Sequence, residues 1–337
     1  MGKSMDAVES FGTIISRTPL RLPLGGGGTD LPSYYEKYGG FFVSGAISKY
    51  VNIIVHKQIM KGLKLTYSKT EIVNNAGEVE HPLIRESLKK VGIDQGIELL
   101  SFSDVPASTG LGSSGSYTVG LLRALHAVKR EYLPPEMLAE EACDIPMNIL
   151  KEPSGKQDEY VASYGGIKAY TISKTGKVES EELKLSPSII ADLESNIMMF
   201  YTGMTRDSRD VLGEQQKNIR SGSSVEHMHR IKGIGLESRK ALEKGDLTRF
   251  GELLHEHWLE KKKVTSNMTN SRIDKFVDVA RENGAIGEKI LGAGGGGFLM
   301  VYAESNHKKI RLAMERLNLV EHRVRFDFEG SKVIYNV

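Results

Sequence analysis

Residues Pro106 to Ser116 read PASTGLGSSGS and lie between two patterned segments. Before them, Ile97 to Phe102 form an apolar run of strand character; after them, Val119, Leu122, Leu125 and Val128 recur at helical spacing. A loop of small residues feeding a helix N-terminus presents unpaired backbone N–H groups, and the helix dipole adds positive potential there. Gly110, Gly112 and Gly115 let the backbone approach an anion closely, while Ser113, Ser114 and Ser116 add hydroxyls. That combination can hold a nucleotide phosphate chain with few cationic side chains. The same letters permit a plainer role, in which Thr109, Ser113 or Ser114 caps a helix after a loop.

Two further glycine clusters favour the first role. Leu22 to Asp30 read LPLGGGGTD, and Leu291 to Tyr302 read LGAGGGGFLMVY. Runs of glycine are poor helix and strand interiors, so each marks backbone that passes something closely. Three such loops point to one site assembled from distant segments. None is the Walker phosphate loop, because no Lys-Ser/Thr pair follows the glycines. Gly292, Gly294 and Gly297 match the dinucleotide pattern G-x-G-x-x-G by letter, but FLMVY after them reads as a strand where that pattern must open a helix.

The elements that must carry these loops are mixed. Strand patterns fill the first half (TIISRTPLRL, GGFFVSGAI, YVNIIVHKQ, LKLTY), and Glu182 to Asn196 read as a polar connection before the apolar strand NIMMFYTG. The second half is mostly helical, punctuated at Gly245, until VRFDFEGSKVIYNV closes with two strands. Such a mixture predicts an α+β architecture. The 337 residues suffice for two modest domains, and a net charge of +2 gives no reason to invoke nucleic acid or membrane as a partner. A single cysteine, Cys143, excludes an intrachain disulfide framework and suits a reducing compartment. No apolar run approaches the ~18 residues of a spanning helix and no secretory signal is seen, so a soluble, cytoplasmic protein is expected.

These motifs together resemble the GHMP kinases, the family named for galactokinase, homoserine kinase, mevalonate kinase and phosphomevalonate kinase. The family's first motif is similar to RTPLRLPLGGGGTDLPSYYEKYGG, its phosphate loop to PASTGLGSSGS and its third motif to LGAGGGGFLMVY. The likeness extends through EPSGKQDEYVASYGG and FYTGMTRDS and so covers nearly the whole chain. The GGGGTDLP form points to the branch of sugar-1-kinases that includes heptose 7-phosphate kinase and the fucokinases. Galactokinases and mevalonate kinases usually carry Gly-Glu-His where this chain has Gly26-Gly27-Gly28. The resemblance implies a ribosomal protein S5 domain 2-like N-terminal domain over 1–186 and a ferredoxin-like C-terminal domain over 187–337, with the site in the cleft between them. It also implies ATP as donor, Mg²⁺, and transfer to a sugar's anomeric hydroxyl, with a heptose 7-phosphate as the expected acceptor. Other small alcohols such as fucose or a mevalonate-like acid, and an inactive sugar and nucleotide sensor, are the competing expectations.

The resemblance also assigns residues. Asp158 matches the catalytic aspartate, with Lys156 nearby to favour its ionised form. Arg21 matches the cationic residue beside the acceptor oxygen and γ-phosphate. The ATP site comprises Pro106, Ser108, Thr109, Gly110, Leu111, Gly112, Ser113, Ser114 and Gly115, with Ser114 also touching Mg²⁺. Thr29 and Asp30 match positions that contact sugar hydroxyls; a carboxylate can accept two hydroxyl donors, although an Asx turn is the alternative. Gly28 joins them, and Gly294, Gly295 and Gly296 give room for close approach. The glutamate that many relatives use as a metal ligand is missing, Pro146-Met147-Asn148 standing in its place, and Glu140, Glu141, Asp144 and Glu152 do not match it cleanly.

Other residues read less sharply. Arg17 shares a strand face with Arg21 by period-two counting and suits a structural pair. His255 and His257 are two apart, so on a helix they diverge and read as surface or packing residues. Tyr67 and Ser68 could border an adenine, and the end of a strand is an equally good reading of them. Lys261-Lys262-Lys263 reads mainly as solvated helix surface; with Arg206, these lysines are also the cations available to a phosphorylated acceptor.

Overall fold

The computed structural model describes residues 12–205 and 208–337. The chain opens with a long hairpin: β1 (Thr13–Gly25), a short helix α1 (Pro32–Tyr38), and β2 (Gly40–Lys57). β1 contains Pro19 and Pro23, which cannot donate to a ladder, and the register with β2 shifts at both places. Next come β3 (Leu63–Thr66), β4 (Thr70–Val73), α2 (Pro82–Val91) and β5 (Ile97–Ser103), then α3 (Ser113–Val128), α4 (Pro135–Asp144) and α5 (Gln157–Tyr164). β6 (Ile167–Ile172) and β7 (Val178–Glu182) form a second hairpin.

β2 is long enough to hold β1 along one edge and two different strands along the other. Its first part, Gly40–Gly45, pairs with β6, and its last part, Val51–Lys57, pairs with β5. β3 then pairs with β5 in parallel and with β4 in antiparallel fashion. The apolar face of α3 lies on β1 and β2, and α5 and α2 pack beside it. Leu121, Ala124, Leu125 and Val128 of α3 are accordingly buried with Ile14, Ile53 and Val55 of the sheet.

The segment Glu182 to Asn196, expected as a connection, contains a helix, α6 (Pro187–Asn196). The Ser186 hydroxyl accepts the Ile189 N–H at 3.3 Å and Pro187 takes the first helical position, so the start signal is a complete one. β8 (Ile197–Tyr201) leads into α7 (Ser208–Arg220), α8 (Val225–Lys244), α9 (Leu247–Lys262) and α10 (Ser271–Glu282). Gly245 ends α8 in the left-handed conformation, φ 72°. Then follow β9 (Gly287–Ile290), β10 (Phe298–Tyr302), α11 (His307–Glu315) and β11 (Val320–His322).

These last strands form an antiparallel sheet ordered β11-β8-β10-β9, which is 4-1-3-2 counted within the unit and is the ferredoxin-like order expected. The final strand β12 (Lys332–Asn336) leaves this unit and pairs with β1 in the first sheet. A contiguous apolar core joins the two sheets, running from Ile14 and Leu22 to Phe250, Leu291 and Met300. α8 and α9 contact β1 directly, so the end of β1 lies where the two units meet. Among the described residues, no helix is long and apolar enough to cross a membrane.

Candidate active site

Gly112 is the N-cap of α3, with φ 77°, and no side chain caps the helix. The Thr109 hydroxyl donates instead to the Pro106 carbonyl at 3.0 Å, and the buried Ser113 hydroxyl has no hydrogen-bond partner among the described residues. Helix capping therefore does not account for the loop. Pro106, Ser108, Thr109, Gly110, Gly112, Ser113 and Ser114 line a cavity of about 1100 Å³. Leu111 and Gly115 do not: Leu111 is core, and Gly115 lies against Asp158 and Glu159 from behind. Their part is to seat the loop.

The third glycine cluster is bolted to this loop. A Cβ on Gly110 would stand 2.4 Å from the Leu291 carbonyl oxygen, and one on Gly297 would stand 2.2 Å from that of Thr109. The Phe298 N–H donates to the Thr109 carbonyl at 3.2 Å, so β10 anchors the contact. Gly294 and Gly296 line the cavity, whereas Gly295 is turned toward Met268, to whose carbonyl its N–H donates.

Arg21 ties the loop to α5. Its Nε donates to Asp158 Oδ1 at 2.7 Å and its Nη1 to the Gly110 carbonyl at 2.6 Å, while its backbone N–H donates to the Leu111 carbonyl. The Arg21 side chain is almost fully buried and that of Asp158 about a third exposed, so the carboxylate is the member of the pair that a ligand can reach. Lys156 does not support Asp158 as expected. It bonds Glu140 and the Gly176 carbonyl on the far side of α5. Arg17 is not at the cavity; it pairs with Glu329 at 3.0 Å and lies over Tyr50.

In the first glycine cluster, Asp30 Oδ1 accepts the Gly28 N–H and Oδ2 accepts the Gln157 N–H, both at 3.0 Å. Asp30 thus joins the cluster to the start of α5 while lining the cavity beside Gly28. Burial pushes its carboxyl above the ordinary range, against those backbone donors. Thr29 is behind the wall. Its one hydroxyl proton is within reach of both the Gly26 and Phe41 carbonyls and its oxygen accepts the Phe41 N–H, which makes it a brace of the turn, buried away from the cavity.

Residues 79–166 match the family model of the GHMP kinases N terminal domain, and residues 238–318 match that of the GHMP kinases C terminal. The chain belongs to the GHMP kinase family. It is 28% identical over 311 residues to a D-glycero-alpha-D-manno-heptose 7-phosphate kinase of Campylobacter jejuni, covering 88% of this chain and 91% of that protein. It is 23% identical to an L-fucokinase/L-fucose-1-P guanylyltransferase of Bacteroides fragilis, across 90% of this chain but 36% of that longer protein. The crystal structure of a D-glycero-D-manno-heptose 1-phosphate kinase from Bacteroides thetaiotaomicron superposes with a TM-score of 0.80 at 24% identity, covering 96% and 99% of the two chains. GHMP kinases draw their phosphate from ATP, and this one is a phosphotransferase acting on an alcohol group.

This GHMP kinase also places in its cavity several residues that the sequence did not single out. Gln157 and Gln215 are buried and line it near Gly27 and Gly28, and the Gln157 Nε2 has no hydrogen-bond partner among the described residues. Lys289 on β9 lines it too, beside two α9 residues named above: Lys261, and His257, which is at the cavity where a surface or packing residue was expected. Of the three consecutive lysines only Lys261 faces the cavity; Lys262 reaches Asp274 and Lys263 pairs with Glu260. Arg206 lies outside the described residues. Tyr67 and Ser68 line the other end, with His81 and Tyr117. His255 points away from the cavity, to Glu288 at 2.5 Å. Glu159, next to Asp158, is buried, and that burial together with the neighbouring Asp158 charge pushes its carboxyl well up.

The carboxylates near the missing glutamate divide in the same way. Glu140 serves Lys156, Glu141 serves His126 and Asp144 serves Lys90, whereas Glu152 lines the cavity, where it pairs with Arg209 at 3.6 Å. Among the described residues, no three His, Cys, Asp or Glu side chains stand close enough together to hold a metal. Mg²⁺ needs no such cluster, since it is commonly held by one or two carboxylates plus phosphates and water.

Proposed function

We propose that the protein transfers the γ-phosphate of ATP to the anomeric hydroxyl of a sugar phosphate, with D-glycero-D-manno-heptose 7-phosphate as acceptor. The observation that carries this reading is the convergence of an uncapped helix N-terminus with the Arg21–Asp158 pair on one cavity wall. The loop N–H groups from Gly112 to Ser114 hold the donor phosphates. Asp158 takes the proton of the acceptor hydroxyl as its oxygen bonds to phosphorus, and the bond from phosphorus to the ADP oxygen breaks. Arg21 keeps Asp158 in place and, through Gly110, keeps the loop at a fixed distance from it, so both partners are oriented before they meet. The guanidinium also stabilises negative charge on the transferred group.

Ser114 and Glu152 are the side chains that would hold Mg²⁺ with the donor phosphates. Bound there, the cation would offset phosphate charge. Ser114→Ala raises both the KM for ATP and the Mg²⁺ concentration for half-maximal rate, with kcat less affected; rates measured across an Mg²⁺ series check this.

The heptose assignment draws on the Campylobacter relative and on the cations at the Gly28 end of the cavity. ATP turnover against heptose 7-phosphate, mannose 6-phosphate, fucose, galactose and mevalonate tests it. Product carrying a new 1-phosphate is expected from the heptose 7-phosphate. Turnover of fucose or galactose with none on sugar phosphates would replace the acceptor and leave the kinase reading standing.

A further inference from the structure

Arg21, Lys261 and Lys289 crowd one region of the cavity wall closely enough to repel one another. Arg21 has Asp158 as its partner. The two lysines have no carboxylate within ion-pair distance among the described residues, although the charges of Asp30 and Asp158 reach Lys261 from farther off. Lys289 is 1% exposed; its Nζ lies 3.4 Å from the Pro23 carbonyl and 3.2 Å from His257 Nδ1, and the Lys261 Nζ donates to the Gly292 carbonyl. An ammonium has three donors, so each has capacity left over. His257 is equally buried, and its Nε2 makes no hydrogen bond among the described residues. Buried cations without counter-charge are costly unless an anion completes them.

The position of these groups says which anion. Ser113 and Ser114 belong to the α3 end, where the donor phosphates go. Lys289 is tied instead to Pro23, whose Cβ lies close to Gly27, on the side of Arg21 that carries Gly28 and Asp30, while Lys261, tied to Gly292 beside Gly110, stands between Lys289 and the loop. We propose that Lys289, Lys261 and His257 form a second anion subsite, which holds a phosphate already present on the acceptor. The assignment rests on the kinase reading above and sharpens it: the acceptor class is a phosphate monoester of a polyol. Its three terminal oxygens accept from the two ammonium groups and from the imidazole. Burial and the like charges of Lys261 and Arg21 favour the neutral amine of Lys289, and a bound dianion reverses that preference.

The test is calorimetric titration of the full chain with D-glycero-D-manno-heptose 7-phosphate and with the unphosphorylated heptose. Wild type binds the phosphate ester about 10- to 100-fold more tightly, the range expected for charge-assisted hydrogen bonds. Lys289→Met removes most of that ratio and leaves the affinity for a non-hydrolysable ATP analogue near wild type. Lys261→Met is the second variant, and melting curves of both establish that they fold. Equal affinity of wild type for the two sugars, or none for either, overturns the subsite whether or not the variants fold. A Lys289→Met protein that loses the ATP analogue as well assigns the lysine to the transferred phosphate and also overturns it. The kinase reading fails by a different result, the absence of sugar-dependent ATP turnover. Turnover confined to unphosphorylated sugars keeps that reading and ends this one.

Discussion

Asp158→Asn lowers kcat by about 10²–10⁴-fold, the usual contribution of a positioned general base, and leaves ATP affinity close to wild type. The asparagine is nearly isosteric, and its Oδ1 can still accept from Arg21 Nε, so the link between β1 and α5 survives. What is lost is the proton acceptor. Removing a negative charge beside Arg21 does not weaken phosphate binding; with Lys261 and Lys289 also close by, the sign of the change favours the anion. Steady-state kcat with the best acceptor and titration with an ATP analogue separate the two effects. A kcat within tenfold of wild type would reassign Asp158 to charge balance with Arg21, an outcome that a loose, dissociative transition state permits.

Gly112→Val abolishes ATP binding and activity together. Gly112 has φ 77°, a conformation that costs an L residue roughly 1–2 kcal/mol, and a branched side chain aggravates this. The space is also taken: a Cβ there would stand 3.1 Å from Cγ of both Arg21 and Asp158. The substitution therefore closes the approach to the first turn of α3 and displaces the Arg21–Asp158 pair in one step. Gly233→Ala in α8 is the matched control, since its Cβ would have nothing within 4 Å. Calorimetry with the ATP analogue should show no heat for Gly112→Val and a normal isotherm for the control. A normal isotherm for both would remove the loop from the nucleotide site.

The glycine loops were legible in the sequence because a run of glycines has few structural uses, and three of them in one chain have fewer. The prediction that they converge on one site agrees with the contacts of Gly110, Gly292 and Gly297. Asp158 is different: alone it reads as a loop carboxylate, and its setting in a family motif singled it out. Lys289 left no signal. In GEKI it looks like the outward residue of an alternating strand, yet all four residues are buried. What buries them is the approach of α9, where a Cβ on Gly287 would stand 1.9 Å from the Gly251 carbonyl oxygen. Thr29 erred in the opposite direction, since hydroxyls serve a turn as readily as a sugar. α6 was missed although Ser186-Pro187 is a sound start signal, because polar residues around it read as a connection. The partner of β12 could not be seen at all, because antiparallel pairing across the length of a chain leaves no local trace.

That last pairing sets an order of events during synthesis. Ile14, Ile15, Ser16 and Arg17 of β1 find β2 within a few dozen residues, but their other edge waits for Lys332 to Asn336. At about 5–20 residues per second, the nascent sheet stands open along β1 for on the order of tens of seconds. An open strand edge is a template for pairing with a neighbouring chain. The ferredoxin-like unit is complete before that edge is closed, so a strand made after that unit is the one that finishes the first sheet.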